Sequence, residues 1–412
     1  MYGPHTHAEK KCSLRYILAM PEPIYLDHAA TTPVRPEVRE AMDPFFGPRF
    51  GNPSSIHRWG REARVALDEA RELVATCLGA RSDEICFTSG GTEADNLAVL
   101  GAWRARRTEG RNAVVSTPIE HKAVLSAVHQ AAREGAEERL CDMRIDCVVE
   151  TSSFETLVRD DVAIASVMWV NNEIGTIQPI EQLAAAASAR GVLFHTDAVQ
   201  AFGKVDIDAS RVPFDFLSIS GHKIGAPKGC GAIFVRRGTS IEPLFHGGTQ
   251  DRGRRPGTEN VAMAVGLARA AELTLAERAE ESRRLASLRD RLERSILDQV
   301  PDAVIHGRGT RRAPHILSVS VPGTESESLL MALDLQGIAC SAGSACQSGS
   351  VTPSHVLTAC GVRPDIANAA IRMSLGSLTT DSSIERVAQV FPNLVRKARG
   401  QSPAARPQAV GA

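Results

Sequence analysis

The chain repeats one local pattern: a short apolar run, a turn of glycine or small polar residues, then a segment with apolar residues at helical spacing. Glu62–Leu78 has that spacing and stops before Gly79, so it predicts an amphipathic helix with a glycine stop. Ile85–Thr88 follows as a strand, Ser89-Gly90-Gly91-Thr92 as a tight turn and Glu93–Trp103 as a helix. The cycle returns with strand Ala113–Ser116 and helix Lys122–Arg133, then with strand Val162–Val170 and helix Ile180–Arg190. Val192–His195, Phe214–Ile219 and Gly231–Val235 are further strands. Strands alternating with helices predict an α/β fold with a mostly parallel sheet covered on both faces.

From about Asn260 to Val300 the pattern is long, helical and rich in Ala, Glu, Arg and Leu. It reads as a solvated helix bridging a large central domain to a smaller C-terminal one. Beyond it, His315–Val321 and Ile371–Ser374 are strand-like, while Glu325–Leu335 and Ser383–Val395 are helical. The tail after Lys397 is rich in Pro, Ala and Gly and is expected to be disordered. No internal repeat is evident.

Composition narrows the function. With 412 residues the chain can bury a sizeable core and form more than one domain. A formal net charge of −1 argues against nucleic acid or an anionic membrane as the main partner. No stretch approaches the roughly 20 apolar residues of a membrane helix. The N-terminal residues lack the apolar core of a secretory signal and read as a leader, with Met20 as an alternative start. The nine cysteines are odd in number and form no C-x-x-C pair, which disfavours a disulfide framework or a structural zinc and fits a reducing cytoplasm. Cys77, Cys86 and Cys230 lie beside apolar segments and read as small core residues.

Candidate chemistry gathers at strand ends. Ser220-Gly221-His222-Lys223 follows a strand directly, which suits a Schiff-base lysine for pyridoxal 5'-phosphate (PLP) or, equally, a solvated loop lysine. Asp197 ends another strand, in His195-Thr196-Asp197-Ala198-Val199-Gln200. It suits the acid that keeps the PLP ring nitrogen protonated, and it also suits a helix N-cap. Gly90-Gly91-Thr92, between strand and helix, offers backbone N–H groups to a phosphate. His121 follows a strand and is placed to stack on a ring or move protons. Ser341–Gly349 is almost all small residues around one thiol, Cys346, which suits a mobile nucleophile; Cys340, beside Ile338, reads as structural. Arg372, among apolar neighbours on a strand, calls for a carboxylate partner from substrate or protein.

Taken in order, these motifs resemble the cysteine desulfurases of the NifS- and IscS-like branch of the class-V aminotransferase family. The resemblance runs from Tyr25-Leu26-Asp27-His28-Ala29-Ala30-Thr31-Thr32-Pro33 to about Thr380. It includes Gly51-Asn52-Pro53-Ser54-Ser55, Thr88-Ser89-Gly90-Gly91-Thr92-Glu93 and Glu120-His121-Lys122. It continues through Val170-Asn171-Asn172-Glu173-Ile174-Gly175, Ser220-Gly221-His222-Lys223, Arg255-Pro256-Gly257-Thr258 and Gly343-Ser344-Ala345-Cys346. Gln347, where Ser or Thr is common, and the two termini depart from the family pattern.

The resemblance implies a type I PLP-dependent transferase fold. Its large domain, residues 35–280, would hold a mostly parallel seven-stranded sheet; a smaller α+β domain would join residues 1–34 and 281–398, leaving 399–412 as tail. It implies Lys223 as Schiff-base lysine, Asp197 as ring-nitrogen partner, Gln200 on the ring hydroxyl, and His121 stacked on the ring and assisting proton transfer. Gly91, Thr92, Ser220 and His222 would hold the phosphate. Thr258 would reach the phosphate of a neighbouring subunit, making a homodimer. Asn172 and Arg372 would hold the carboxylate of L-cysteine, and Cys346 would take its sulfur and pass it to an acceptor or scaffold protein. A selenocysteine lyase, or another PLP enzyme of the same fold, is the alternative, and a non-catalytic scaffold is disfavoured because Lys223, Asp197 and Cys346 are all present. The acceptor is left open between iron–sulfur assembly and other thiolation pathways.

Overall fold

The computed structural model describes residues 22–343 and 353–400. Seven strands form one sheet in the order Ile85–Thr88, Gly231–Val235, Phe216–Ser220, Leu193–Asp197, Val162–Ser166, Ala113–Ser116, Glu137–Leu140. Gly231–Val235 runs antiparallel to both its neighbours, and every other pairing is parallel. Six of the strands are buried almost throughout, because helices cover both faces. The seventh, Glu137–Leu140, is an edge strand of exposed and half-buried, mostly charged side chains, which protects the edge from pairing further and hides it from an apolar-run reading.

Local signals set most boundaries. Gly79 caps the helix Arg58–Leu78 with φ of 64°, a left-handed conformation that glycine adopts without a Cβ clash. The predicted strand Val162–Val170 ends at Ser166. Beyond it the chain crosses the strand ends, with the Trp169 N–H on the carbonyl of Asp197. It then turns at Asn171, whose side-chain oxygen accepts from the N–H groups of Glu173 and Ile174.

Two further sheets lie outside this core. Ala370–Ser374, Ile316–Ser320 and Val304–Ile305 pair antiparallel, and Ile24–Tyr25 pairs parallel with Ile338–Ala339. Their apolar sides join a separate hydrophobic cluster that includes Leu26, Val319, Leu329, Met373, Val387 and Phe391. The helix Val261–Gln299 spans both cores. Its first half packs Leu267, Ala270 and Ala271 into the large core, and its second half packs Leu285, Leu292 and Ile296 into the small one. At 39 residues it is about 58 Å long, enough to tie the two together.

One pair of cysteines departs from the reading of the thiols as separate core residues: Cys147 and Cys360 are disulfide-bonded, with Cα atoms 5.4 Å apart at a sequence separation of 213. No C-x-x-C spacing could signal a pair so distant. No helix of the described residues is long and apolar enough to cross a membrane.

Candidate active site

The carboxyl ends of the parallel strands open into a cavity of about 530 Å³, a size suited to a small molecule. Gly91, Thr92, His121, Asn172, Asp197, Gln200, Ser220, His222, Lys223 and Arg372 all line it, so ten of the predicted residues converge from six segments of the chain. Thr258 does not: it is exposed in the loop before the long helix, outside this cavity. Cys346 lies outside the described residues. A second cavity of similar volume opens behind Lys223 and shares Val199, Gln200 and Lys223 with the first, but Asp197, His121 and Arg372 face only the first.

Each side chain owes its place to a local device. Lys223 sits in a single 3-10 turn, Gly221–Lys223, at the end of strand Phe216–Ser220. Its Nζ donates to the carbonyls of Ala29 at 2.6 Å and Ala30 at 2.8 Å, so the segment after Asp27 fixes the ammonium. Asp197 ends its strand 5% exposed, with one oxygen accepting from the Val199 N–H at 2.8 Å. Burial pushes its carboxyl upward, and the neighbouring His121 and Lys223 pull it back. His121 caps the helix Lys122–Arg133 through Nδ1, which accepts from the Ala123 N–H at 3.2 Å. That bond leaves the ring proton on Nε2, and burial favours this neutral form. Gln200 is held at both ends: its amide N–H donates to Ala29 O, and its oxygen accepts from His315 Nε2.

The glycine turn leaves its backbone open to the cavity. Gly90 has φ of 156°, and a Cβ on Gly231 of the adjacent strand would stand 2.7 Å from its Cα, so two glycines let the backbones touch. The helical run from Gly91 onward presents its first N–H groups to the cavity. The hydroxyls of Thr92 and Ser220 make no hydrogen bond among the described residues. His222 Nδ1 lies 3.1 Å from Thr31 Oγ1, and burial, then Lys223 and Lys228, push this imidazole down to about 4.

Arg372 meets a protein carboxylate as well as the cavity. It donates to Asp27 Oδ1, Ser341 Oγ and the carbonyl of Asn172, each at 2.8 Å, while its buried Nε has no partner among the described residues. Five residues that sequence reasoning passed over also shape the site. Asp95, Glu173, Lys228 and His355 line the cavity, and Glu120, fully buried, is pushed up to about 8 by burial against the opposing hydrogen bonds from the Met168 N–H and the Thr117 hydroxyl. Only Glu173 and Glu120 stood inside recognised motifs; His355 carried no local signal.

A mostly parallel seven-stranded sheet with a lysine just past one strand end, an acid at the end of the next and an open glycine turn defines the type I PLP-dependent transferase fold. The class-V aminotransferase family matches residues 24–387. The cysteine desulfurase IscS of Methanosarcina thermophila is 46% identical over 92% of this chain and 94% of its own length. Among solved structures, a NifS-like protein superposes with a TM-score of 0.85 at 35% identity, covering 91% of this chain and all of that one. A structure of SspA in complex with cysteine superposes with a TM-score of 0.77 at 34% identity, covering 85% of this chain and 98% of that one. The chain belongs to the class-V aminotransferase family and, within it, to the cysteine desulfurases.

Membership implies a PLP-type cofactor, and the residues present fit one. Asp197 is buried with no ion pair among the described residues, and a carboxylate so placed calls for a cationic ligand group. Unused hydroxyls and helix N–H groups call for an anionic one, as at Thr92, Ser220 and Gly91.

Proposed function

We propose that the chain is a PLP-dependent desulfurase that converts L-cysteine to L-alanine and holds the sulfur as a persulfide on Cys346. The observation that carries this reading is the convergence of Lys223, Asp197, His121 and Arg372 on one cavity. Lys223 would attach the cofactor, Asp197 would accept its ring N–H, Gln200 would bind its ring hydroxyl, and His121 would cover its ring. Gly91, Thr92, Ser220 and His222 would hold its phosphate, with Thr258 reaching the phosphate of a second copy in a homodimer. PLP bound there supplies the electron sink that makes the substrate's Cα proton acidic and its C–S bond cleavable.

The chain's own groups supply the rest. Arg372 and the side chain of Asn172, which both line the cavity, would bind the substrate carboxylate, orienting Cα toward Lys223. Lys223, once released, takes the Cα proton, and neutral His121 holds its Nε2 proton toward the cavity for transfer. Cys346 Sγ, as thiolate, attacks the substrate sulfur. The S–S bond forms as the Cβ–S bond breaks, the electron pair passes to carbon, and a proton completes the methyl group. Cysteine and a thiol thus become alanine and a persulfide, with no outside oxidant or reductant.

In this reading residues 35–280 form the cofactor-binding domain, and residues 1–34 with 281–398 form the smaller one. The persulfide passes to an acceptor or scaffold protein, in iron–sulfur assembly or another thiolation pathway, in the cytoplasm. The test is a visible spectrum of the pure protein, with and without L-cysteine, and an alanine assay. The expected result is a cofactor band that cysteine shifts, with alanine formed. Cys346→Ser should keep the band and lose turnover, and Lys223→Ala should lose both the covalent attachment and turnover. Full turnover by Cys346→Ser in the presence of thiols would remove the role given to Cys346.

A further inference from the structure

We infer that the cavity behind Lys223 is a second ligand site, which takes a free apolar α-amino acid with its carboxylate on Lys204 and its ammonium on His28 and His315. This binding lies outside the chemistry of the first cavity and does not depend on it.

The second cavity, of about 530 Å³, lies where the two hydrophobic cores meet. Phe202 and Ile224 reach it from the large core, Leu285 and Leu375 from the small one. Set into this apolar wall are the imidazoles of His28 and His315, 4% and 3% exposed. His28 Nδ1 lies 3.2 Å from the carbonyl of Ser374, which can only accept, so the ring proton is on Nδ1. His315 Nε2 donates to Gln200 Oε1 at 3.1 Å, and the Gln200 amide is oriented by its own N–H on Ala29 O. Burial disfavours the charged form of both rings. His28 Nε2 and His315 Nδ1 are therefore lone pairs, and neither has a hydrogen-bond partner among the described residues. Buried acceptors are rarely left unpaired.

Charge in the cavity is incomplete in the same way. Arg35 pairs with Glu277, and Arg284 with Glu281, through two hydrogen bonds each. Lys204 is half-buried, and its ammonium makes no hydrogen bond or ion pair among the described residues. Its charge reaches both imidazoles and the Glu281 carboxylate.

These groups specify the occupant. Two lone pairs require a ligand that donates, which excludes a fully ionised oxyanion. An unpaired ammonium requires a ligand that also accepts and carries negative charge. An α-hydroxy acid brings one O–H for two lone pairs. An α-ammonium brings three N–H donors and is favoured by the Glu281 carboxylate nearby. The apolar wall calls for an apolar side chain on the same molecule. His315 also holds Gln200, which lines both cavities, so an occupant here stands one hydrogen bond from the candidate active site.

Calorimetric titration of the holoenzyme with L-leucine tests the site. Leucine should bind. Isocaproate, the same skeleton without the ammonium, and isoamylamine, without the carboxylate, should each bind about 10- to 100-fold more weakly. Those comparisons use the unmutated protein and need no variant to fold. Lys204→Met should weaken leucine by the same factor, whereas Arg372→Lys should leave it unchanged, because Arg372 lines the first cavity and not the second. Binding that is lost in Arg372→Lys and kept in Lys204→Met would put leucine in the first cavity and overturn the second site. Equal binding of the three compounds, or no binding of leucine at all, as expected of a cavity that holds only water, would overturn it too.

Discussion

Arg372 shows how one side chain divides its work. Three of its five N–H donors are committed to Asp27, Ser341 and the Asn172 carbonyl among the described residues, which leaves two for a ligand. A guanidinium can do this because its donors diverge in a plane, whereas an ammonium is a single point of charge. Arg372→Lys should keep the pairing with Asp27 and lose the reach toward substrate. A charge-assisted hydrogen bond contributes about 1.5–3 kcal/mol, so the KM for cysteine should rise about 10- to 100-fold with the cofactor spectrum unchanged. Steady-state kinetics check this, and an unaltered KM would assign Arg372 to structure alone. That a strand arginine needed a carboxylate was legible in the sequence. That it serves a protein carboxylate and faces the cavity too was not, because Asp27 lies 345 residues away.

Among the elements, the segment Cys141–Glu150 and the helix His355–Ala359 are joined by the Cys147–Cys360 bond. Both cysteines are buried, and Cys360 directly follows the helix whose first residues meet Glu173 and Glu120. Cross-linking residues so far apart restricts the unfolded chain, which typically contributes about 2–4 kcal/mol. Cys147→Ser should lower the unfolding free energy by that amount in non-reducing denaturant titrations, and reductant should lower the parent protein to the same value. A digest made without reductant should contain the linked peptide. An unchanged midpoint, with no linked peptide, would return both residues to the role of separate core thiols.

The molecule as a whole buries histidines and carboxyls whose effects on stability oppose each other. His306, bonded to Ser320 at 2.6 Å, is pushed down to about 4 by burial. The unfolded chain therefore binds its proton more readily than the folded one. This contribution is complete above about 6.5 and is lost as pH falls toward 4, at about 1.4 kcal/mol per pH unit. Glu120, raised to about 8, acts in the other direction: its share is complete below the ordinary carboxylate range and is lost as pH rises through 8. The parent protein's pH curve mixes the two, so the clean measurement is a difference. The stability of the parent relative to His306→Asn should be constant above pH 7 and decline by about 1.4 kcal/mol per unit from 6.5 to 4. A difference that does not vary with pH would mean His306 titrates alike in both states.

The sequence by itself determined the alternating elements, the long bridging helix and the identity of the groups at the strand ends. These follow from short-range causes: apolar periodicity, glycine at positive φ and polar residues where strands stop. The boundaries of Ile85–Thr88, Ala113–Ser116, Lys122–Arg133 and Gly231–Val235 were legible to the residue. The edge strand Glu137–Leu140 was not, because an exposed charged strand has no apolar signature. Tertiary structure alone decided what meets what across hundreds of residues. It brought Lys223 to the carbonyls of Ala29 and Ala30, Arg372 to Asp27, Cys147 to Cys360, and Gly343 and Ser354 to Glu173. Those meetings depend on how the sheet closes and which loops its ends bring together, and nothing in the local sequence encodes that distance.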